Sequence, residues 1–118
     1  MTGYLTTHVL DSAHGCPGHD ILVQLFRIDG ERRTLITEVK TNDDGRCDQP
    51  ILAGNDFKAG VYELLFSAGD YYRQRGLALP TPAFLDQVVL RFGIADEGEH
   101  YHVPLLISPY SYSTYRGS

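Results

Sequence analysis

Three histidines are the side chains in this sequence best suited to moving a proton near neutral pH: His8 in the run LTTHVLD, and His100 and His102 in the run HYHVPLLI. An unperturbed imidazole titrates at about pH 6.5, so it can both take and give a proton there. Each of the three sits in an alternating pattern. Leu5, Thr7 and Val9 interleave with Tyr4, Thr6 and His8, and Tyr101, Val103, Leu105 and Ile107 interleave with the histidine pair. Successive strand residues point to opposite faces, so if the apolar sets face a core, all three imidazoles face outward. Taken alone, a pair of outward histidines more often simply meets water. Imidazoles on outward faces of separate strands can, however, meet at a shared surface.

A His-x-His pair on a strand is also a possible metal ligand set, but it needs a third or fourth ligand that the spacing does not supply. No metal is expected. Cys16 and Cys47 have no partner at zinc-site spacing and are expected as free thiols in a reducing compartment, with a single bridge as the alternative. Arg46, in the turn sequence DDGR, and Arg116 could supply fixed positive charge to an anionic substrate, although an exposed arginine is more often only solvated. There is no G-x-S-x-G elbow, phosphate-binding glycine loop or H-E-x-x-H helix, which removes the corresponding hydrolase, nucleotide and zincin readings.

The elements that must position these groups are mostly strands. Tyr4 to Val9 alternates with period two, and ILVQLFRI and RTLITEVKT flank a short Asp-Gly turn. VYELLF, QVVLRFGI and EHYHVPLLI follow, with turn signals between them and a final strand in SYSTYRGS. The segment DSAHGCPGHD reads as turns. Asp70 is placed to cap one short helix over Tyr71 to Arg75, ended by Gly76 and prevented from continuing by Pro80 and Pro82. Seven or eight short strands and one helix predict an all-β antiparallel sandwich, with a barrel as competitor.

The chain has 118 residues, the size of a single domain, expected to span 1–118. Ten Lys plus Arg against fifteen Asp plus Glu give a net charge of -5, which disfavours nucleic acid as a partner. No apolar run approaches the roughly 18 residues needed to span a bilayer, and the start lacks a secretory pattern, so a cytoplasmic location is expected.

LTTHVLD, DGR and HYHVPLLISPYSYSTYRGS together resemble the transthyretin-like 5-hydroxyisourate hydrolases, in order and along essentially the whole chain. The terminal Tyr-Arg-Gly-Ser is the most specific part. The loop HGCPGHDI departs from the pattern at His19 and Asp20, outside the catalytic positions. The resemblance implies a sandwich of two four-stranded sheets with one short helix, and a homotetramer built as a dimer of dimers. It implies hydrolysis of 5-hydroxyisourate with no cofactor. It also implies His8, Arg46, His102 and Ser118 as catalytic residues, with Tyr115, Arg116 and Gly117 binding substrate. The alternative implied by the same fold is a carrier for an aromatic small molecule.

Overall fold

The computed structural model describes residues 2–117, so Met1 and the expected site residue Ser118 lie outside the described residues. In chain order the elements are β1 (Tyr4–Thr6), β2 (Val9–Asp11), β3 (Cys16–Pro17), β4 (Leu22–Asp29), β5 (Arg32–Lys40) and β6 (Leu52–Ala53), then a 3-10 turn (Gly54–Asp56). They continue with β7 (Gly60–Phe66), α1 (Ala68–Gln74), β8 (Val88–Ile94), β9 (His100–His102), β10 (Leu105–Ile107) and β11 (Tyr112–Thr114).

One sheet runs β5-β4-β7-β8, antiparallel throughout. The opposing sheet is built on a long ribbon in which β1 and β2 pair with β9 and β10 in one unbroken register, Tyr4 opposite His100 and Val9 opposite Leu105. Regular pairing lapses only around Pro104, which has no N–H to give. There the Val103 N–H donates to the Thr6 carbonyl at 2.9 Å, the Leu105 N–H to the His8 carbonyl at 2.9 Å, and the Thr7 hydroxyl to the Val103 carbonyl at 2.6 Å. β11 flanks the ribbon on one side, and β6 and β3 flank it end to end on the other, giving four ranks of strand. The sandwich of two four-ranked sheets with one helix is therefore present.

Three details differ from the sequence expectation, the first being a two-residue strand, Cys16–Pro17, paired with β2 inside the segment expected as turns. The ribbon is parallel, not antiparallel: the chain builds the whole opposite sheet before reaching His100 and so re-enters beside β1 from the same end, a crossover with no local signature. The helix starts earlier, with Ser67 as its cap residue, and Asp70 lies inside the first turn, where it pairs with Arg73 at 3.1 Å. Gly76 ends it in a left-handed conformation as expected, with φ of 88°.

Alternation along the ribbon sets what each face does. Leu5, Val9, Tyr101, Val103, Leu105 and Ile107 are buried against the other sheet's Val23, Leu25, Leu64 and Leu90. Asp11 closes this inward row with no exposed surface. Its Oδ1 accepts from the Tyr72 hydroxyl at 2.8 Å and from the Ala13 and His14 N–H groups, and its Oδ2 accepts from the Tyr71 hydroxyl at 2.8 Å and from His14 Nδ1 at 2.6 Å. α1 is thereby tied to the ribbon through a carboxylate. No helix of the described residues is long and apolar enough to cross a membrane.

Candidate active site

The outward row of the ribbon carries Tyr4, Thr6 and His8 on one strand and His100 and His102 on its neighbour, all partly buried. Thr6 is the direct partner of His102, and Tyr4 of His100. The Tyr4 ring stacks on the His100 ring at 4.1 Å between centroids and 12° between planes. Thr6 Oγ1 lies 2.6 Å from His100 Nε2 and 2.8 Å from His102 Nδ1, so one hydroxyl touches both rings. With Nδ1 engaged, Nε2 is the His102 nitrogen left for a ligand.

Arg46 reaches this face through a tight turn. Asn42 organises it: its side-chain oxygen accepts from the Asp44 and Arg46 N–H groups at 2.9 and 3.1 Å. Gly45 has φ of 77°, and a Cβ there would stand 2.4 Å from the Val9 carbonyl oxygen, so only glycine lets the turn press onto β2. The Val9 N–H donates to the Gly45 carbonyl at 2.8 Å, which leaves His8 and Arg46 paired by an isolated bridge. His8 Nε2 lies 3.0 Å from the Asp44 carbonyl, which can only accept. The ring hydrogen is therefore on Nε2, and a neutral His8 presents its lone pair at Nδ1.

The end of the chain returns to the same place. After β11 the Gly117 N–H donates to the His102 carbonyl at 2.7 Å, and a Cβ on Gly117 would come within 2.9 Å of His102 Cδ2. Arg116 turns the other way. Its guanidinium donates to Glu99 Oε1 and the His100 carbonyl, both at 3.2 Å, and sits 4.1 Å from the centre of the Tyr101 ring. With exposed Tyr115 it lines a second cleft of about 440 Å³ between β8 and β11. Of the residues chosen from sequence, His8, Arg46, His102 and Gly117 gather, whereas the Tyr115 and Arg116 side chains belong to the neighbouring cleft and Ser118 is not among the described residues.

The histidine cleft, about 380 Å³, is lined by Thr6, Arg46, Cys47, Gln49, His100 and His102 among others. Burial first, then the nearness of His100, Arg46 and His8, hold the His102 ring below the usual imidazole range, so at neutral pH it is uncharged and able to accept a proton. Burial and the nearby Asp48 push the Cys47 thiol up to about 11, which keeps it protonated and a poor nucleophile at neutral pH. Among the described residues no three His, Cys, Asp or Glu side chains gather as a metal-ligand set. Such a cleft can bind a small polar, electron-rich molecule and move a proton to or from it. Thr6, Tyr4 and Asn42 were not singled out from sequence. Thr6 and Tyr4 had a signal, since they share His8's face of the alternation.

A family model described as the HIUase/transthyretin family matches residues 5–117. A 5-hydroxyisourate hydrolase of Pseudomonas aeruginosa is 72% identical over 116 residues, covering 98% of this chain and 92% of that protein. The crystal structure of an (S)-allantoin synthase superimposes with a TM-score of 0.93 at 47% identity over 99% of this chain, which spans only 44% of that longer chain. The 5-hydroxyisourate hydrolase structure from Klebsiella pneumoniae superimposes with a TM-score of 0.82 at 31% identity, covering 98% of this chain and 99% of that one.

Proposed function

Because the chain belongs to the HIUase/transthyretin family, we propose that it is a 5-hydroxyisourate hydrolase, opening the six-membered ring of its substrate by attack of water at a cyclic amide carbonyl. The product is 2-oxo-4-hydroxy-4-carboxy-5-ureidoimidazoline. The observation that carries the proposal is that Arg46 and His102, from distant parts of the sequence, line one polar cleft, with His8 held beside them by its bridge to Arg46.

An imidazole, His102 through Nε2 or His8 through Nδ1, takes a proton from water as its oxygen bonds to the carbonyl carbon. The other histidine orients that water or protonates the nitrogen that departs as the ring bond breaks. The Arg46 guanidinium holds the oxygen on which negative charge grows. Ser118 is proposed as a further catalytic residue and Gly117, anchored on the His102 carbonyl, as a substrate-binding one, whereas the Tyr115 and Arg116 side chains line the neighbouring cleft and are given no part in this one. The chemistry as proposed asks for no cofactor.

A homotetramer formed as a dimer of dimers is part of the same proposal. The exposed Tyr110, Tyr112 and Tyr115 and the half-open face of the cleft support it, since a second subunit would cover both and keep bulk water from the reacting amide. A cytoplasmic location is proposed with it, and free Cys16 and Cys47 suit a reducing compartment.

Following the ultraviolet absorbance of freshly generated 5-hydroxyisourate with and without the protein tests the proposal. Accelerated decay is expected. Unchanged decay together with tight binding of an aromatic ligand would instead favour the carrier.

A further inference from the structure

We propose that Thr6 and His100 are positioning residues for His102, with the Thr6 hydroxyl coupling the two rings so that they trade a single proton. This rests on His102 acting as an acid or base in the reaction above. The geometry stands by itself.

A threonine hydroxyl has one hydrogen to give and lone pairs to receive. Placed 2.6 Å from His100 Nε2 and 2.8 Å from His102 Nδ1, it donates to one ring and accepts from the other. When the hydroxyl donates to His100, His102 carries its hydrogen on Nδ1, and its Nε2 faces the cleft with a free lone pair. When it donates to His102, that lone pair is gone and the hydrogen sits on Nε2. One rotation of a small hydroxyl, accompanied by a proton shift, thus switches His102 between base and donor.

The same contact gives the proton somewhere to go. His102 Nε2 takes a proton from water, and its Nδ1 hydrogen passes to Thr6 Oγ1. The hydrogen that Thr6 held passes to His100 Nε2. Bonds made and broken balance, Thr6 ends as it began, and the positive charge has moved from His102 to His100. His102 is a poor place for that charge, being partly buried and close to Arg46 and His8. His100 is a better one, because its ring lies flat on the Tyr4 ring, whose π face favours a cation. The charged groups around His100 are His102 across the hydroxyl, neighbouring Glu99, and Arg116, whose guanidinium bonds the His100 carbonyl and Glu99. The carboxylate of Glu99 offsets the arginine there.

The test is a double-mutant cycle read by kinetics and by nitrogen NMR of the imidazoles. Thr6→Val keeps the shape and strand preference but removes the hydroxyl, and His100→Phe keeps the stack on Tyr4 but removes the nitrogen. Each is expected to lower kcat about tenfold with KM within about twofold, and the double variant to lose no more than either alone. Thr6→Ser is expected to restore activity to within about threefold, since it keeps the hydroxyl. NMR of the unmutated protein should show the His102 tautomer changing as His100 titrates, and Thr6→Val should abolish that link. Additive losses, or a His102 tautomer indifferent to His100 in the unmutated protein, would overturn the coupling even if hydrolysis is robust. Absence of hydrolysis in the unmutated protein would instead strike the parent proposal, while the NMR link would still decide the coupling.

Discussion

The two faces of the ribbon formed by residues 4–11 each carry a polar cluster, and the two are finished differently. On the inward face, Asp11 has no exposed surface and receives five hydrogen bonds, from two tyrosine hydroxyls, a histidine and two backbone N–H groups. Burial alone would raise the carboxyl, but those bonds outweigh it and hold it below the usual carboxylate range. On the outward face, His8 and His102 each spend one ring nitrogen on the protein and keep the other. Polar residues are present in both places. What distinguishes a site from a staple is bonding capacity left over, because a saturated cluster has nothing to offer a ligand and an unsaturated one does.

Mutations in the two clusters should therefore separate stability from activity. Asp11→Ala leaves the buried Tyr71 hydroxyl and His14 Nδ1 without their acceptor, and the Tyr72 hydroxyl with only the Ile107 carbonyl at 2.9 Å, and should lose about 3 to 5 kcal/mol of stability in urea unfolding, while the protein that remains folded keeps its rate. A stability within about 1 kcal/mol of the parent would make Asp11 incidental. His102→Ala and His8→Ala should do the reverse. Each is expected to cost about a hundredfold or more in kcat/KM, equivalent to about 2.7 kcal/mol in the barrier, with unfolding nearly unchanged. A fully active His102→Ala protein would remove the proposed chemistry.

Acid should separate the two clusters without mutation. The folded His102 ring has its proton affinity lowered, so as pH falls through that lowered value it charges and can no longer act as a base, and kcat/KM should fall by about tenfold per pH unit. The unfolded ring takes its proton earlier, near pH 6.5, so stability slips as pH drops from about 6.5 and levels off once the folded ring is charged too. Asp11 titrates in the other sense. Its folded pKa is depressed, so its contribution is complete above the unfolded value of about 3.9 and is lost only as pH falls through the folded one. Between these ranges the protein should be folded, inactive and fully recoverable on return to neutral pH. Parallel loss of ellipticity and activity would contradict the separation.

Arg46→Lys sharpens the outward side. The turn that places residue 46 is set by Asn42 and Gly45, so a lysine would occupy the same backbone position. It would keep the charge and lose the planar pair of donors, for an expected drop of about tenfold in kcat/KM, smaller than that of either histidine. An unchanged rate would mean that charge alone is needed there.

The inward and outward faces also differ in how far the sequence reveals them. Period-two alternation assigns Leu5, Val9, Tyr101 and Leu105 to the core and His8, His100 and His102 to the other face, because burial on one side of a strand leaves a local pattern. From its own residues the sequence marked Arg46 only as a fixed charge in a turn, and Gly117 was legible only through the family resemblance, since the bridges that bring them to His8 and His102 join residues far apart in the chain. The Asp11 staple gave less. Its donors Tyr71 and Tyr72 lie on a helix some sixty positions away, and an aspartate before a turn-rich segment reads as an ordinary turn residue. Thr6 sat in plain view on the right face, but its contact with two histidines depends on the parallel register, and parallel pairing has no local cue.

The smallest expected effect tests whether the end of the chain belongs to the outward cluster. Gly117 is held by its N–H on the His102 carbonyl, and a methyl group added there would stand 2.9 Å from His102 Cδ2 and 3.2 Å from its Cβ. Those are side-chain atoms at a partly open surface, so the His102 ring can yield by a few tenths of an ångström without disturbing the core. The fold should therefore tolerate Gly117→Ala, with a stability change within about 0.5 kcal/mol. The ring that yields is the one proposed to meet the substrate through Nε2, and displacement of a reacting group is felt mainly in the rate. A fall of about threefold to tenfold in kcat with KM little changed is expected. If kcat holds while KM rises instead, Gly117 contributes to binding and does not set the position of His102.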